Sequence, residues 1–407
     1  MLVKRITKIH KIFYCIFLFN IAAGLALTTS LPSWTYRSLQ VLSILLLLYY
    51  FSSVKLKMTY TNIGQFCFVL YMVCSIFCFI RGVGDITYRD FLWSSEIYSL
   101  VIPIFGLCFY RLDHLLVLKQ IAIVGIWIAL FFCIFNFKTY FLDFAEEYQN
   151  VIFLGGYDHK IINRCSIPSL FVKPFLMTAF LFNYKRNFKV LAYITILFSF
   201  LALFLMGRRG GSFEIIAYVV IYIAFKLNRS QKLFLVVLLA TLIVLYILPN
   251  YMNYTSDMIF FQRLEMDTRS GVEVDFIKDF NKNDDWLFGR GISGTYYCPT
   301  LLGLGQVNRS GMETGYLNFI LKGGIIYLVS YLGILLYSVY LGFYRSKNIY
   351  SKYIAVVILF NLLMLYPGGY PSLIPSVIVL FAFVSFSQNK GFRTLSNNQL
   401  LEIFKTR

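Results

Sequence analysis

The segment Gly315 to Leu341, GYLNFILKGGIIYLVSYLGILLYSVYL, is an apolar run that contains one charged residue, Lys322. A helix that crosses a bilayer needs about 20 apolar residues in succession, so this run is long enough to span a membrane. The rest of the chain has the same character, since 59% of its 407 residues are hydrophobic and only 14% are charged. That composition is too apolar for a soluble protein of this length and indicates a polytopic membrane protein.

Similar apolar runs recur along almost the whole chain and are separated by short charged connections. We count twelve, and because the fourth, eighth and eleventh are short, the count holds to within one or two. The predicted fold class is therefore all-α, with about 12 transmembrane helices. The runs are Ile12 to Leu27, Leu39 to Val54, Ile63 to Ile80, Ile97 to Tyr110, Val117 to Phe137, Ile167 to Tyr184, Val190 to Met206, Phe213 to Phe225, Leu233 to Pro249, Gly315 to Leu341, Tyr353 to Tyr366 and Ser372 to Phe386.

The placement of lysine and arginine predicts the orientation of these helices. With the N-terminus inside, every predicted inner connection is basic, in agreement with the usual excess of basic residues on the cytoplasmic side. Both termini are then cytoplasmic. The formal net charge of +18 reflects this topology, and no zinc-finger spacing or RNA-binding signature indicates nucleic acid as a partner.

Twelve helices leave one large outer loop, from Asn250 to Thr314, between the ninth and tenth helices. Long connections are uncommon unless they are functional or disordered, and this loop mixes aromatic residues, glycines and both charge signs, a composition that can order itself. The chain therefore divides into residues 1–249 with helices one to nine, 250–314 as the outer loop, 315–387 with helices ten to twelve, and 388–407 as a cytoplasmic tail.

Within the outer loop, the pattern from Gly271 to Phe280 predicts a short amphipathic helix. Its charged residues Glu273, Lys278 and Asp279 would stay in water, while its apolar residues would lie against the membrane. Those apolar residues are Val272, Val274, Phe276, Ile277 and Phe280.

The first outer constellation is Gly207-Arg208-Arg209-Gly210-Gly211-Ser212, where the eighth helix begins. The N-terminus of that helix would present unpaired N–H groups and the positive end of its dipole to an anion. The two arginines add guanidinium groups suited to diphosphate oxygens, and the adjacent glycines let a ligand approach the backbone closely. The pattern predicts a diphosphate cradle. The alternative is that the arginines reach lipid headgroups and the glycines only turn the chain.

The second outer constellation runs from Asp284 to Gly294 and contains Gly289-Arg290-Gly291. Here Arg290 is a candidate ligand for the same diphosphate. An equally weighted alternative is a tight turn in which Arg290 pairs with Asp284 or Asp285.

Three more charged residues are candidate site residues. Glu313 lies at the outer N-terminus of the tenth helix, where it would either cap the helix or act as a general base that nearby arginines keep ionised. Lys173 and Lys322 fall inside apolar runs, where ionisable groups are costly and by default indicate a site, although either side chain could instead extend to the interface.

The order of these features resembles the superfamily of O-antigen polymerases and O-antigen ligases over roughly Leu201 to Leu341. The resemblance depends on the arginine-glycine-serine motif, the segment Arg269-Ser270-Gly271, the stretch Trp-Leu-Phe-Gly-Arg-Gly that ends at Gly291, and Gly323-Gly324-Ile325-Ile326. It implies a glycosyltransferase that acts at the outer face of the bacterial inner membrane on glycans carried by undecaprenyl diphosphate. Ligases of this superfamily typically have a histidine where this chain has Glu313, which favours the polymerase.

The resemblance implies roles for the candidate residues. In a polymerase, a hydroxyl of the incoming lipid-linked repeat unit attacks the anomeric carbon of the growing glycan, and the diphosphate leaves without a metal or another cofactor. The catalytic residues would be Glu313, Arg209 and Arg290. The diphosphate and glycan would be bound by Arg208, Gly210, Gly211, Ser212, Arg269, Arg309, Lys173, Lys322 and Tyr316.

The implied partners are the undecaprenyl-diphosphate-linked oligosaccharides that serve as donor and acceptor, the membrane lipids, and also a chain-length regulator and a flippase. Two other functions stay open. A ligase would transfer finished chains to another acceptor, and a flippase or transporter would move a lipid-linked oligosaccharide across the membrane. Transporters usually spread charges along a central path and often show repeat symmetry, whereas here the unusual charges collect on the outer side and no repeat is evident.

Overall fold

In a computed structural model of the protein, the described residues are 59–82, 114–135, 159–205, 209–227, 269–300, 308–368 and 375–405, with a few single positions elsewhere. These residues are mostly helical, and their elements are numbered here in chain order. Two short strands, β1 (Tyr296–Tyr297) and β2 (Asn308–Arg309), form an antiparallel pair. The helices are α1 (Asn62–Arg81), α2 (Leu115–Phe135), α3 (His159–Thr178), α4 (Arg186–Leu205), α5 (Arg209–Lys226), α6 (Ser270–Asn283), α7 (Gly315–Tyr344), α8 (Ile349–Gly368), α9 (Pro375–Gln388), α10 (Lys390–Thr394) and α11 (Asn397–Lys405).

Five of the described helices, namely α1, α2, α4, α7 and α8, are long and apolar enough to cross a membrane. Shorter apolar stretches occur at Ile167–Thr178 in α3 and over α9, and α5 covers the predicted run from Phe213 to Phe225. The predicted helical class and membrane character are confirmed. The predicted count of twelve spans stays a prediction, because four runs lie wholly or largely outside the described residues. They are Ile12 to Leu27, Leu39 to Val54, Ile97 to Tyr110 and Leu233 to Pro249.

Helix α9 lies in the interior of the described bundle. All of its residues are buried, and it packs against α3, α7 and α8. A helix that is apolar on every side is typical of such a position. Its polar Ser385 is satisfied within the bundle, where it pairs with the Tyr60 hydroxyl at 2.7 Å and donates to the carbonyl of Gly106 at 2.5 Å.

Aromatic side chains join α1, α7 and α9. Tyr71 on α1 stacks on Tyr327 of α7, with 5.2 Å between ring centroids, and lies 6.5 Å from the ring of Phe381 on α9. The hydroxyls of Tyr71 and Tyr327 are hydrogen bonded at 3.2 Å. Because a buried phenol needs a polar partner, this pair fixes α1 against the middle of α7.

Helix α7 is broken at Gly324, whose φ of 72° and ψ of −175° are not helical. The loop that follows α6 supplies the backbone partners at the break. The N–H of Ile325 donates to the carbonyl of Trp286 at 2.8 Å, and the N–H groups of Arg290 and Gly291 donate to the carbonyls of Leu321 and Lys322 at 2.8 and 2.9 Å. A break inside a membrane helix is tolerated where other groups satisfy its backbone, so this loop is what allows α7 to break.

Helix α6 confirms the predicted helix in the outer loop but corrects its orientation. Val272, Phe276 and Phe280 are buried in a small core of the loop itself, against residues of β1 and α7, whereas Val274 and Ile277 are exposed. Asp279, predicted to stay in water, pairs with Arg290. The prediction that all five apolar side chains lie against the membrane is therefore wrong, because distant parts of the loop and α7 cover three of them.

Candidate functional site

Three charged residues meet at the entry of α7: Glu313, its near neighbour Arg309, and Arg269 from 44 residues earlier in the chain. The Arg269 Nε lies 3.2 Å from Oε2 of Glu313, and Nη2 of Arg309 lies 3.7 Å from Oε1 of the same carboxylate. The Glu313 side chain is 49% exposed and those of Arg269 and Arg309 are 31% and 25% exposed. The result is an accessible carboxylate held between two guanidinium groups, called here the entry cluster.

The entry cluster is anchored by polar contacts between α6, α7 and α8. Arg269, immediately before α6, donates from Nη1 to the carbonyl of Tyr366 on α8 at 3.2 Å. Tyr316 on α7 donates to the carbonyl of Leu362 on α8 at 2.5 Å. The hydroxyl of Thr314 donates to Glu273 in the first turn of α6. Contacts to three helices therefore hold the positions of the charged side chains.

The capping interpretation of Glu313 does not describe its position. Thr314 is the N-cap residue of α7, and its side chain makes no capping hydrogen bond. Glu313 precedes that position and its two oxygens face the two arginines. The contacts of this carboxylate in the described residues are therefore the two ion pairs with Arg269 and Arg309.

The N-terminus of α5 lies at the same end of the bundle. Helices α5 and α8 are antiparallel neighbours, since Tyr218 contacts Phe360 with 4.9 Å between ring centroids and Phe225 contacts Tyr353 on α8 at 5.2 Å. This register places the first turn of α5 level with the C-terminal end of α8, which carries Tyr366.

Only part of the predicted diphosphate cradle can be compared with the structure. Arg208 and the side chain of Arg209 lie outside the described residues. Gly210 and Gly211 are in the first turn of α5, and a Cβ at Gly211 would meet Leu203 of α4 at 3.0 Å. Helix packing thus already accounts for this glycine. Ser212 is buried, and its hydroxyl has no hydrogen-bond partner among the residues that the structure describes.

Arg290 is engaged by acceptors of its own loop. Its Nε lies 2.7 Å from Asp285, and its Nη1 lies 2.5 Å from Asp279 and 2.7 Å from the carbonyl of Thr295. The guanidinium also lies over the ring of Phe280 at 4.6 Å. The sequence alternative was a turn in which Arg290 pairs with Asp284 or Asp285, and the structure shows the pair with Asp285. Asp284 instead ends α6, with a left-handed backbone conformation.

The two lysines predicted for the cavity also have internal partners. Lys322 is buried, and its Nζ donates to the carbonyls of Ser310 and Gly294 at 2.6 and 3.4 Å. Lys173 on α3 forms an ion pair with Glu214 on α5 at 2.5 Å, and both side chains are nearly buried. Lys322 therefore ties two parts of the outer loop to α7, and Lys173 ties α3 to α5.

Burial and hydrogen bonds shift two pKa values in the outer loop. Burial acts to raise the pKa of Asp275, but hydrogen bonds from Thr300 and Cys298 outweigh it and lower this pKa below its usual value. The N–H of Thr300 donates to Oδ2 of Asp275 at 2.9 Å. Burial also raises the pKa of the Tyr296 phenol on β1. Both residues are part of the folded outer unit.

The sequence interpretation missed residues that the structure places beside the candidate residues. Arg81, at the end of α1, donates to the carbonyls of Phe288 and Gly289 at 3.1 and 2.5 Å. A basic residue that ends an apolar run on the predicted outer side was the available signal. Glu214 was missed as the partner of Lys173, although a carboxylate inside an apolar run is costly unless paired.

Together, the fold and this site define a polytopic helical membrane protein with an accessible ionic cluster where the outer loop meets the bundle. Comparison with known proteins adds no relative, since no family model, curated protein or solved structure matches the chain.

Proposed function

We propose that the protein is a metal-independent glycosyltransferase that joins undecaprenyl-diphosphate-linked repeat units into a surface polysaccharide at the outer face of the bacterial inner membrane. The observation that carries this proposal is the entry cluster, in which the exposed carboxylate of Glu313 lies between Arg269 and Arg309. It offers a proton acceptor and two anion-binding groups at one accessible place beside apolar helices.

In the proposed reaction, a hydroxyl of the incoming repeat unit attacks the anomeric carbon of the growing glycan. The new glycosidic bond forms as the bond between that carbon and the diphosphate oxygen breaks, and the electron pair leaves with the undecaprenyl diphosphate. The hydroxyl proton passes to the Glu313 carboxylate. Most of the remaining work is positioning and stabilisation of the departing negative charge.

Among the described residues, Arg269 and Arg309 are the cations best placed for that charge, because both are partly exposed next to Glu313. When a diphosphate enters, their ion pairs with Glu313 exchange for contacts with phosphate oxygens, which the fork of a guanidinium binds well. The exchange leaves the carboxylate free to accept a proton. Arg208 and Arg209, at the start of α5, would add two more guanidinium groups that bind the diphosphate.

Arg290 and Lys322 have a supporting role in this proposal. Arg290 holds its loop through Asp279 and Asp285, and Lys322 holds the segment that leads to the entry cluster. Neither side chain needs to touch the substrate for its loss to harm the enzyme. Lys173, paired with Glu214, likewise supports the α3 and α5 side of the bundle.

Deletion of the gene in its host, with the surface glycan sized on a gel, tests the proposal. A ladder that collapses to single repeat units at the cell surface, and that the intact gene restores, is the expected result. Long chains retained on the lipid carrier would instead identify a ligase. Repeat units retained on the cytoplasmic side would identify a flippase, and either result would reject the polymerase.

A further inference from the structure

Part of the outer loop carries exposed apolar side chains that the proposed reaction does not use. The loop after α6 turns at Trp286 to Gly291, and at its tip Leu287 and Phe288 are 56% and 51% exposed. Large exposed apolar groups next to each other mark an interaction surface. We propose that this tip is immersed in the outer edge of the lipid bilayer, so that its partner is the acyl chains of the membrane.

The first argument is continuity with the exposed apolar face of a helix that is long enough to cross the membrane. Helix α1 is a membrane-spanning helix by length and composition, and its exposed apolar side chains recur every three or four residues. The ring of Phe288 contacts the last part of this stripe, with 5.9 Å between its centroid and that of Phe77. The stripe comprises Ile63, Phe66, Val69, Val73, Ile76, Phe77 and Ile80.

The second argument is the depth at which the tip lies. The backbone on either side of the tip is hydrogen bonded to α1 and α7. The N–H of Ile292, just after the tip, donates to the carbonyl of Cys78 on α1 at 3.0 Å, and the carbonyl of Trp286, just before the tip, accepts from the N–H of Ile325 on α7. Cys78 precedes the end of α1 by about one helical turn. The tip is therefore level with the last turn of a membrane helix and does not project above it.

The third argument concerns the backbone of the tip. Irregular backbone enters a lipid layer only where its polar groups are satisfied within the protein. The N–H groups of Gly289, Arg290 and Gly291 all donate to carbonyls of the protein, and Arg81 donates to the carbonyls of Phe288 and Gly289. The guanidinium of Arg81 lies 5.9 Å from the ring of Phe77, an interfacial position that suits a long basic side chain.

The polar residues that flank the tip fit the same placement. Asn281, Lys282, Asn283 and Asp284 are exposed where α6 ends, and Trp286 donates its indole N–H to Asn281 at 2.9 Å. Tryptophan is enriched at the boundary between lipid and water. In this placement the polar residues at the end of α6 lie at the level of the lipid headgroups, and the apolar tip lies deeper, among the acyl chains. This inference does not depend on the proposed enzymatic activity.

Fluorescence quenching in reconstituted vesicles tests the inference. Phe288→Trp and Leu287→Trp each place an indole at the tip, and Tyr297→Trp places one at an exposed position on β1 as the matched control. The emission that each tip variant adds to that of the parent protein should be lost when the vesicles contain phosphatidylcholine with brominated acyl chains, and should resist aqueous iodide. The control emission should respond to iodide.

Two results would overturn the inference. Quenching of both tip variants by iodide, with no loss in brominated lipid, would place the tip in water. Resistance to both quenchers would mean that protein, such as a second copy of this chain, covers the tip. The two variants differ in the size of the replaced side chain, so a folding defect in one leaves the other as the measurement.

Discussion

Glu313 is the side chain on which the proposed reaction most directly depends, because it is the proton acceptor of the entry cluster. Glu313→Gln keeps the shape of the side chain but removes its charge and most of its basicity. A general base typically contributes about 10²–10⁴-fold to a rate. We expect polymerisation to fall by at least about 10²-fold on that basis, measured as the formation of glycan longer than one repeat unit by the purified protein in vesicles.

Glu402→Gln is the matched control for this variant. Glu402 is exposed on α11, on the predicted cytoplasmic side, so its neutralisation should leave the glycan ladder unchanged. A normal ladder from Glu313→Gln at the parental protein level would remove Glu313 from the mechanism.

Arg290 is expected to contribute to stability more than to substrate binding. Arg290→Met leaves the mostly buried carboxylates of Asp279 and Asp285 without their cation. Removal of one partner from a buried ion pair costs about 3–5 kcal/mol. We expect a loss of this order in the free energy of unfolding, measured by chemical denaturation of the detergent-solubilised protein.

Arg290→Lys separates the charge of this residue from its geometry. It keeps one positive charge but loses the fork that reaches both carboxylates, so it should recover only part of the stability. If Arg290→Met had parental stability and yet made no polymer, the direct diphosphate role predicted from the sequence would be favoured instead.

Asp275 should make the outer loop sensitive to acid. Its pKa is lower in the folded protein than in the unfolded chain because Thr300 and Cys298 donate to the carboxylate and outweigh its burial. Such a group stabilises the fold fully above the ordinary carboxyl pKa of about 4. The contribution is lost as the pH falls through the lower folded pKa.

Asp275→Asn should therefore remove part of the acid sensitivity. The difference between unfolding midpoints measured near neutral pH and near pH 3 should be smaller in this variant than in the parent. Asp284→Asn is the control, because Asp284 is exposed. Its backbone has a left-handed conformation, which asparagine also adopts readily. An unchanged pH dependence in Asp275→Asn would contradict the assignment.

At the scale of elements, the break in α7 depends on one glycine. The backbone of Gly324 has a φ of 72° and a ψ of −175°, a combination that is essentially restricted to glycine and costs about 1–3 kcal/mol otherwise. A Cβ at this position would also collide with the backbone of Leu287. Gly324→Ala should lower the thermal midpoint of the solubilised protein and separate the loop from α7.

Gly333→Ala is the control within the same helix. Among the described residues, a Cβ at Gly333 would meet the Cys67 sulfur alone, at 3.5 Å, an ordinary contact. Its thermal midpoint should be close to that of the parent. Equal stability of the two variants would show that the loop after α6 does not depend on the break.

The apolar runs predict the described membrane helices because a helix that crosses the hydrocarbon core of a bilayer needs a continuous apolar sequence. The run from Gly315 to Leu341 agrees with α7 to within a few residues at the C-terminal end of the helix. Its break could not be predicted, since Gly323-Gly324 reads equally well as a packing motif. The break exists because Trp286, far away in sequence, supplies a partner for the freed backbone.

The contacts of the entry cluster likewise could be predicted from the sequence only in part. Glu313, Arg269 and Arg309 were all candidates, and Arg309 is four residues from Glu313 in the sequence. Arg269 reaches the same carboxylate only because α6 packs beside the entry of α7. Local pattern finds charged residues that are unusual, but only tertiary packing decides which of them meet. Arg290, an equally prominent candidate, pairs with Asp285, which the sequence offered as a partner, and also with Asp279, which it did not.

At the scale of the whole molecule, α7 runs between two ends of the helical bundle that carry different groups. Its start carries the entry cluster and the outer loop. Beyond its end, Arg393 donates to the carbonyl of Arg345, and Asn348 donates to the carbonyl of Phe392. These bonds hold the basic segments around α10 next to the end of α7. The proposed function requires that the first end faces outward and the second faces the cytoplasm.

Thiol labelling in intact cells tests that requirement through two exposed positions. Lys282→Cys lies at the end of α6 and Asn398→Cys lies on α11. Three apolar helices, α7, α8 and α9, separate the two positions along the chain, and α11 lies beside the end of α7 that is far from α6. Because basic residues stay on the cytoplasmic side, a membrane-impermeant maleimide should label the first variant in intact cells and the second only after permeabilisation. The parent protein measures the background from native cysteines. The reverse pattern would place the entry cluster in the cytoplasm, where no extracellular glycan could reach Glu313, and the polymerase would be excluded together with the ligase.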